Sequence, residues 1–516
     1  MTDASGSRRW YIALAALFLF ALLARIPFYA THHIQEDAFI TFRSAYHLAD
    51  FGKYSFNLGE RSSGVTSTIY GPYIAGIRLL FHAHTIAAVS VFNTLIFLAG
   101  AAALSLSFFT DWRKRLLFFA AIAMLPEGLL ITYADMEIPF QVAAFCAAIF
   151  TLRHGRPSWK TLVCVLFLPL VRPDAIAYSL ILTVLAFSFD RLYGVLALVC
   201  SLAGEALVLV FNRLLTGNFI TATMRAKEIA FQPGHSLHTI LSTANVVLIH
   251  ISYLLPVESK FLQWSGPVVT VLVLGGCLAA LWLARRQMVL FRLLLASFAA
   301  GVLIPGAYIL GGVIFPWYLW TSNWLCYALI CFAVIWVLFA IKPRARVALI
   351  VLFTVVWVAL DSAQWLVSCN IGLQEYHYRA DVGRWLHQVA QPGDTLALEP
   401  AGYIPFYAGL KTYDEIGLVS TLVIDYRVRY GGAWWMDFLK QEHPTWLVER
   451  NYVVRHVTID NVHLSPADSL WFDTHYKLVR HFHYSAANYL HRGLLLRIMK
   501  NGTHDDYYVY HYTGTP

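Results

Sequence analysis

Glu36 and Asp37 stand side by side in QEDAFITFR, a few residues beyond the first apolar run of the chain. A carboxylate at a membrane surface can act as general base on an acceptor hydroxyl. The leaving group it serves there would be lipid-borne, since a water-soluble one has no reason to be attacked at that surface. The pair also suits a plain helix start, because acids favour the first turn through the helix dipole. Ala38, Phe42, Ala45 and Ala49 would then form an apolar face lying on the membrane. Glu137 in YADMEIPF is a second acid between two apolar runs, and Arg172 and Asp174 flank a helix-breaking Pro173 in VRPDA. Arg225 and Lys227 in TATMRAKE are cations that could hold an anionic lipid phosphate through charge-assisted hydrogen bonds. Arg61 and Arg213 are weaker versions of the same idea. FPWYLW, residues 315–320 and including Tyr318, reads as an aromatic belt at the interface or as planes for a sugar ring. Glu127 and Glu205 lie within apolar runs, where acids are functional by default or serve as hydrogen-bonded packing. The histidines show no HExxH or comparable ligand spacing, so no metal cofactor is expected.

The elements that must hold these residues are membrane helices. Of 516 residues 58% are hydrophobic and 13% charged, and the mean hydropathy is +0.58, more apolar surface than a soluble domain can hide. The net charge of +8 does not indicate a nucleic-acid partner. Its cations cluster in short loops at Arg113-Lys114-Arg115, Arg153 to Lys160, Arg285-Arg286 and Lys342 to Arg346, the pattern of cytoplasmic loops. Eleven spans follow, beginning with Trp10–Ala30 and Ile86–Phe109 and ending with Arg346–Leu360. The N-terminus falls inside and the C-terminus outside. Ser67–His82 reads as an interfacial or re-entrant helix, and about 212–262 as a polar outer stretch. Six of the seven cysteines lie in apolar runs and Cys369 lies in the polar tail, so no internal disulfide is expected.

The division expected is a membrane domain, 1–360, with its first outer loop at 31–85, and an outer domain, 361–516. In the latter Tyr376–Ala390 reads as an amphipathic helix, TLALE, TWLVER and LLLRIM as strands, and WWMDFLK as a short helix, together a small α/β domain.

The stretch QEDAFITFRSAYHLADFGKYSFNLGERSSGVTSTIYGPYIAG resembles the first-loop signature of the GT-C superfamily of polyprenyl-phosphate-sugar-dependent glycosyltransferases, in particular the branch with bacterial cell-envelope arabinofuranosyltransferases. The acidic pair, Ala38 to Arg43, Asn57-Leu58-Gly59-Glu60-Arg61 and Thr66-Ser67 carry the likeness. Met136, Glu137 and Pro139, then VRPDA, NRLLTGNFITATMRAKE and YDEIGLVS, extend it, with Ile138 for the usual threonine, Asp174 for glutamate and no Pro-Asn. The resemblance implies an inverting transfer from a lipid-phosphate sugar, arabinofuranose being favoured, to a hydroxyl of a glycan, lipid or protein on the outer face of a bacterial inner (cytoplasmic) membrane. Asp37 takes the catalytic place with Glu36 and Glu137 in support. Arg225 and Lys227 would hold the donor phosphate, with Arg43, Arg61, Arg172, Asp174 and Tyr318 lining the substrate. A lipid-linked oligosaccharide ligase or polymerase is the alternative enzyme. A transporter would need paired broken helices in corresponding halves, and no such symmetry is present.

Overall fold

The computed structural model describes residues 4–231, 236–251, 259–312, 314–450, 464–483 and 506–514. The chain is a polytopic α-helical membrane protein with a C-terminal α/β domain. Among the described residues, seven helical stretches are long and apolar enough to cross a membrane: Ile12–Ala30, Tyr70–Phe108, Arg191–Thr216, Gly266–Ala284, Met288–Gly311, Trp320–Leu338 and Pro343–Ala363. Trp112–Ala123 and Pro126–Tyr133 make an eighth if counted as one span bent by 60°, the break falling where Pro126 lacks an N–H to donate. Ile138–Leu152, Trp159–Val171 and Pro173–Phe187 are apolar but shorter. A 15-residue helix is only about 22 Å long against a hydrocarbon core of about 30 Å. Their apolarity reflects burial in the bundle, with Phe145, Cys146, Val165 and Leu182 fully buried.

All eleven segments read as spans are thus helical, but four of them are bent or short. The stretch 212–262 departs further from expectation. It contains a fifteen-residue apolar helix, Leu237–Ile251, packed on the helices Ser259–Ala284 and Met288–Gly311. The polar flank NRLLTGNFITATMRAKE masked it in the sequence. Tyr70–Phe81 is a helix of its own, closed at His82 with φ 47°; after a 3-10 turn at His82–His84, Thr85–Phe108 folds back along it, so that Asn93 donates to the Tyr70 hydroxyl at 2.7 Å.

The last membrane helix, Pro343–Gln374, passes the expected domain boundary at 360. Cys369 therefore lies on a helix, against Phe28, Leu129 and Tyr133, rather than in a polar tail. A π-helical turn, Glu375–Arg379, leads into Ala380–Val389. The sheet that follows has strands β1 (Thr395–Leu398), β2 (Lys411–Asp414), β3 (Trp446–Glu449), β4 (Tyr476–Phe482) and β5 (Tyr507–Tyr512), in the order β2-β1-β3-β5-β4. β1, β2 and β3 are parallel, while β5 is antiparallel to both β3 and β4. Period-two alternation explains its two covered faces. Leu396, Leu398 and Val448 pack on Val382 and Leu386, and Ala397, Leu447 and Tyr510 pack on Val423, Phe438 and Phe472. TLALE, TWLVER and WWMDFLK form β1, β3 and the helix Trp434–Glu442; LLLRIM lies outside the described residues.

Candidate active site

Asp37 occupies the first turn of the helix Glu36–Phe51, an amphipathic element outside the spans. It lines a cleft open to solvent, walled by Thr41, Glu137, Arg172, Lys227 and Tyr318 among others. Burial lifts the Asp37 carboxyl above its ordinary value; Lys227 opposes this, Glu36 and Glu137 add to it, and Arg172 opposes it. The facing wall is a charged lattice. Arg172 Nη1 donates to Glu137 Oε1 at 2.7 Å, and its Nε and Nη2 donate to the two oxygens of Asp174 at 2.9 and 3.1 Å. Arg172 lies 4.9 Å from the centre of the Tyr318 ring, and Lys227 Nζ donates to the Tyr318 hydroxyl at 3.0 Å. Tyr308 donates to Asp174 from behind. The arrangement opposes a poised carboxylate to a fixed cation pair, with an aromatic face between the cations.

The cleft depends on contact with the C-terminal domain. Asp414 at the end of β2 accepts backbone N–H bonds from Leu418, Val419 and Ser420 at 2.6, 2.8 and 3.3 Å. That folds YDEIGLVS into a tight loop whose Leu418 lines the cleft. Gly64 passes between this loop and the Asp37 helix at φ 66°; a Cβ there would sit 2.7 Å from Ile40 Cγ2 and 2.8 Å from Val419 Cγ1. Only glycine meets both the backbone angle and the space.

Several residues expected at the substrate belong to this seam instead. Glu36 points away from the cleft: its Oε1 accepts from the N–H groups of Gly402 and Tyr403 at 2.8 and 2.9 Å, and its Oε2 pairs with Arg379 at 2.7 Å. Gly402 is dictated by this approach, since a Cβ would lie 2.2 Å from the Glu36 carbonyl oxygen. Arg43 is buried and donates to three carbonyls, Phe56 at 3.0 Å, Pro405 at 2.7 Å and Leu410 at 2.6 Å, which fixes it as a tie between domains and not a substrate ligand. Arg61 and Arg225 are exposed and do not line the cleft, which removes the geometric ground for placing either on the donor phosphate. Asp174 reaches the site only through Arg172. Asn57, of the NLGER stretch, pairs its amide with the C=O and N–H of Thr412 at 2.8 and 2.9 Å, and Glu60 pairs with Lys411 at 3.1 Å.

Asp37, Glu137, Arg172, Lys227 and Tyr318 are the predicted residues brought together. Thr66 and Trp317, each part of a quoted motif, also line the cleft, as do Thr41, Thr223 and Leu418, to which no site role was given. Thr41 had a signal, lying four residues after Asp37 on the same helix face; Tyr308 had none. Glu127 is fully buried in the bundle and away from this cleft.

A family profile described as a domain of unknown function (DUF8728) matches residues 369–510. No curated protein matches the chain in sequence. Among solved structures the chain is similar to ArnT from Cupriavidus metallidurans bound to undecaprenyl phosphate, with TM-score 0.56 and 13% identity over 93% of this chain and 97% of that one. It is similar to the same protein in the apo state, with TM-score 0.53 and 13% identity over 98% of each chain. A third likeness is to the archaeal oligosaccharyltransferase AglB from Archaeoglobus fulgidus in complex with an inhibitory peptide and a dolichol-phosphate, with TM-score 0.51 and 10% identity over 86% of this chain and 69% of that one. What these likenesses show is a shared fold.

Proposed function

We propose that the chain is an inverting glycosyltransferase that takes a sugar from a polyprenyl-phosphate donor. One observation carries the reading: a single cleft sets the Asp37 carboxylate against Lys227, Arg172 and Tyr318. Two of the structures of like fold hold an undecaprenyl or dolichol phosphate, which supports the same class of ligand here. Asp37 removes the proton of the acceptor hydroxyl as that oxygen attacks the anomeric carbon. The sugar–oxygen bond to the phosphate breaks on the opposite face, and the lipid phosphate leaves with the bonding pair. Lys227 stabilises the growing phosphate charge, while Arg172 is held by Glu137 and Asp174 as a rigid positive wall. Tyr318 orients Lys227 and offers an aromatic face to the sugar. The first-loop signature favours arabinofuranose. The acceptor is a hydroxyl of a glycan, lipid or protein.

The test is transfer from a radiolabelled polyprenyl-phosphate sugar by the purified protein. Asp37→Asn should lose about 10²–10⁴-fold in rate while still folding; transfer at the wild-type rate would remove Asp37 as the base. Lys227→Ala should weaken donor binding by about 1.5–3 kcal/mol, whereas exposed Arg225→Ala should leave it nearly unchanged. Equal losses for the two lysine and arginine variants would place the phosphate elsewhere.

A further inference from the structure

His481, His483 and Asp506 are, among the described residues, the one group of three histidine, cysteine or carboxylate side chains close enough to share an ion, with ligand atoms within 4.8 Å of one another. Strand geometry explains why they meet. His481 lies on β4 and His483 just beyond it, and residues two apart on a strand share a face. His481 pairs with Tyr508 and Phe482 with Tyr507, so Asp506 comes opposite His483 on that same face. His481 Nε2 and His483 Nδ1 lie 2.8 and 2.9 Å from one Asp506 oxygen, Oδ2. Tyr508 stacks on the His481 ring at 4.3 Å and 8°, which holds Nε2 toward the carboxylate.

We propose that this trio binds a divalent transition metal of the zinc class. Two imidazoles and a carboxylate match zinc, whereas magnesium and calcium prefer all-oxygen sets. Ligands at about 2.0–2.2 Å from a tetrahedral ion stand roughly 3.3 Å apart; the two histidine contacts to Asp506 need to open by only a few tenths of an ångström, and all three ligand atoms already lie within 4.8 Å of one another. Three protein ligands leave a fourth position for water or for an oxygen of a bound molecule. The side chains are 38%, 72% and 23% exposed, so an ion reaches them from solvent. β4 runs in the same direction as the parallel strands, which puts the trio on the sheet rim that also carries the Asp414 loop, four strands along. Tyr378, in the π turn leaving the last membrane helix, donates to the Phe482 carbonyl at 2.7 Å. The ion would therefore clip β4 to β5 where the membrane helix hands over to the sheet.

The site is independent of the transferase reading, and its test needs no donor. Tag-free full-length protein in detergent is stripped with a chelator, dialysed against micromolar zinc and analysed for bound metal. One zinc per chain is expected in wild type, and none above background in His481→Ala with His483→Ala. Cobalt should give the visible bands of a tetrahedral site in wild type and lose them when zinc is added. Asp506→Asn preserves the shape and should weaken zinc by about tenfold or more. If wild type holds no zinc beyond the double variant, or if the double variant retains it in full, the proposal fails and the trio is a histidine pair hydrogen-bonded to Asp506.

Discussion

At Asp37 opposite pulls act on one proton: burial and the neighbouring Glu36 and Glu137 raise its carboxyl, while Lys227 and Arg172 lower it. The net shift is upward, which brings the base closer to working pH and raises its proton affinity in the transition state. In the proposed mechanism Asp37 acts deprotonated, so the acid limb of kcat/KM should fall away above the ordinary aspartate value of about 4; a limb at or below that value would separate the base from Asp37. The same shift has a sign for stability. A carboxyl raised in the folded state contributes most below its unfolded value, and loses that contribution as pH rises through its folded one. Asp37→Asn should therefore melt no lower than wild type at neutral pH in a thermal scan. The adjacent acid was the harder one to place from sequence. Neighbouring helical residues point about 100° apart, so Glu36 and Asp37 address different partners despite standing together. Glu137, Arg172 and Lys227 were legible because charged residues at the ends of apolar runs require a reason. Arg43 was misread because three backbone carbonyls from distant segments leave no trace in a local motif.

The helix Glu36–Phe51 serves two neighbours at once. One side presents Asp37 to the cleft, and the other anchors Gly402, Tyr403 and Arg379 through Glu36. Glu36→Gln should therefore cost about 1.5–3 kcal/mol of stability, read as a lowered melting midpoint, with donor affinity little changed. A large loss of donor affinity with unchanged melting would return Glu36 to the substrate. Periodicity found the long helices and the strands β1 and β3, since their apolar spacing is a direct record of burial. It failed at Leu237–Ile251, whose polar flanks diluted a fifteen-residue run. It also set a boundary at Asp361 in the middle of a helix, because composition changes there although the backbone continues to Gln374.

At the scale of the whole molecule, the bundle and the α/β domain close on each other around the cleft, one giving the charges and the other the Leu418 loop. Our proposed orientation puts this junction on the outer side. A cysteine at exposed Ala467 should react with a membrane-impermeant maleimide in intact cells, while one at exposed Arg113 should react only after lysis; the reverse pattern would invert the topology. The sequence carried the fold class because lipid demands apolar helices, but not the seam, whose partners lie more than 300 residues apart.

Asn57 gives that seam a further consequence. β2 is the outermost strand on its side of the sheet, and Thr412 at its middle would otherwise offer an unpaired N–H and C=O. The Asn57 amide satisfies both, mimicking one residue of a neighbouring strand. A side chain from the membrane domain thus denies the edge of the sheet to another chain. A contact that ties the membrane domain to the sheet also guards the protein against strand-by-strand self-association.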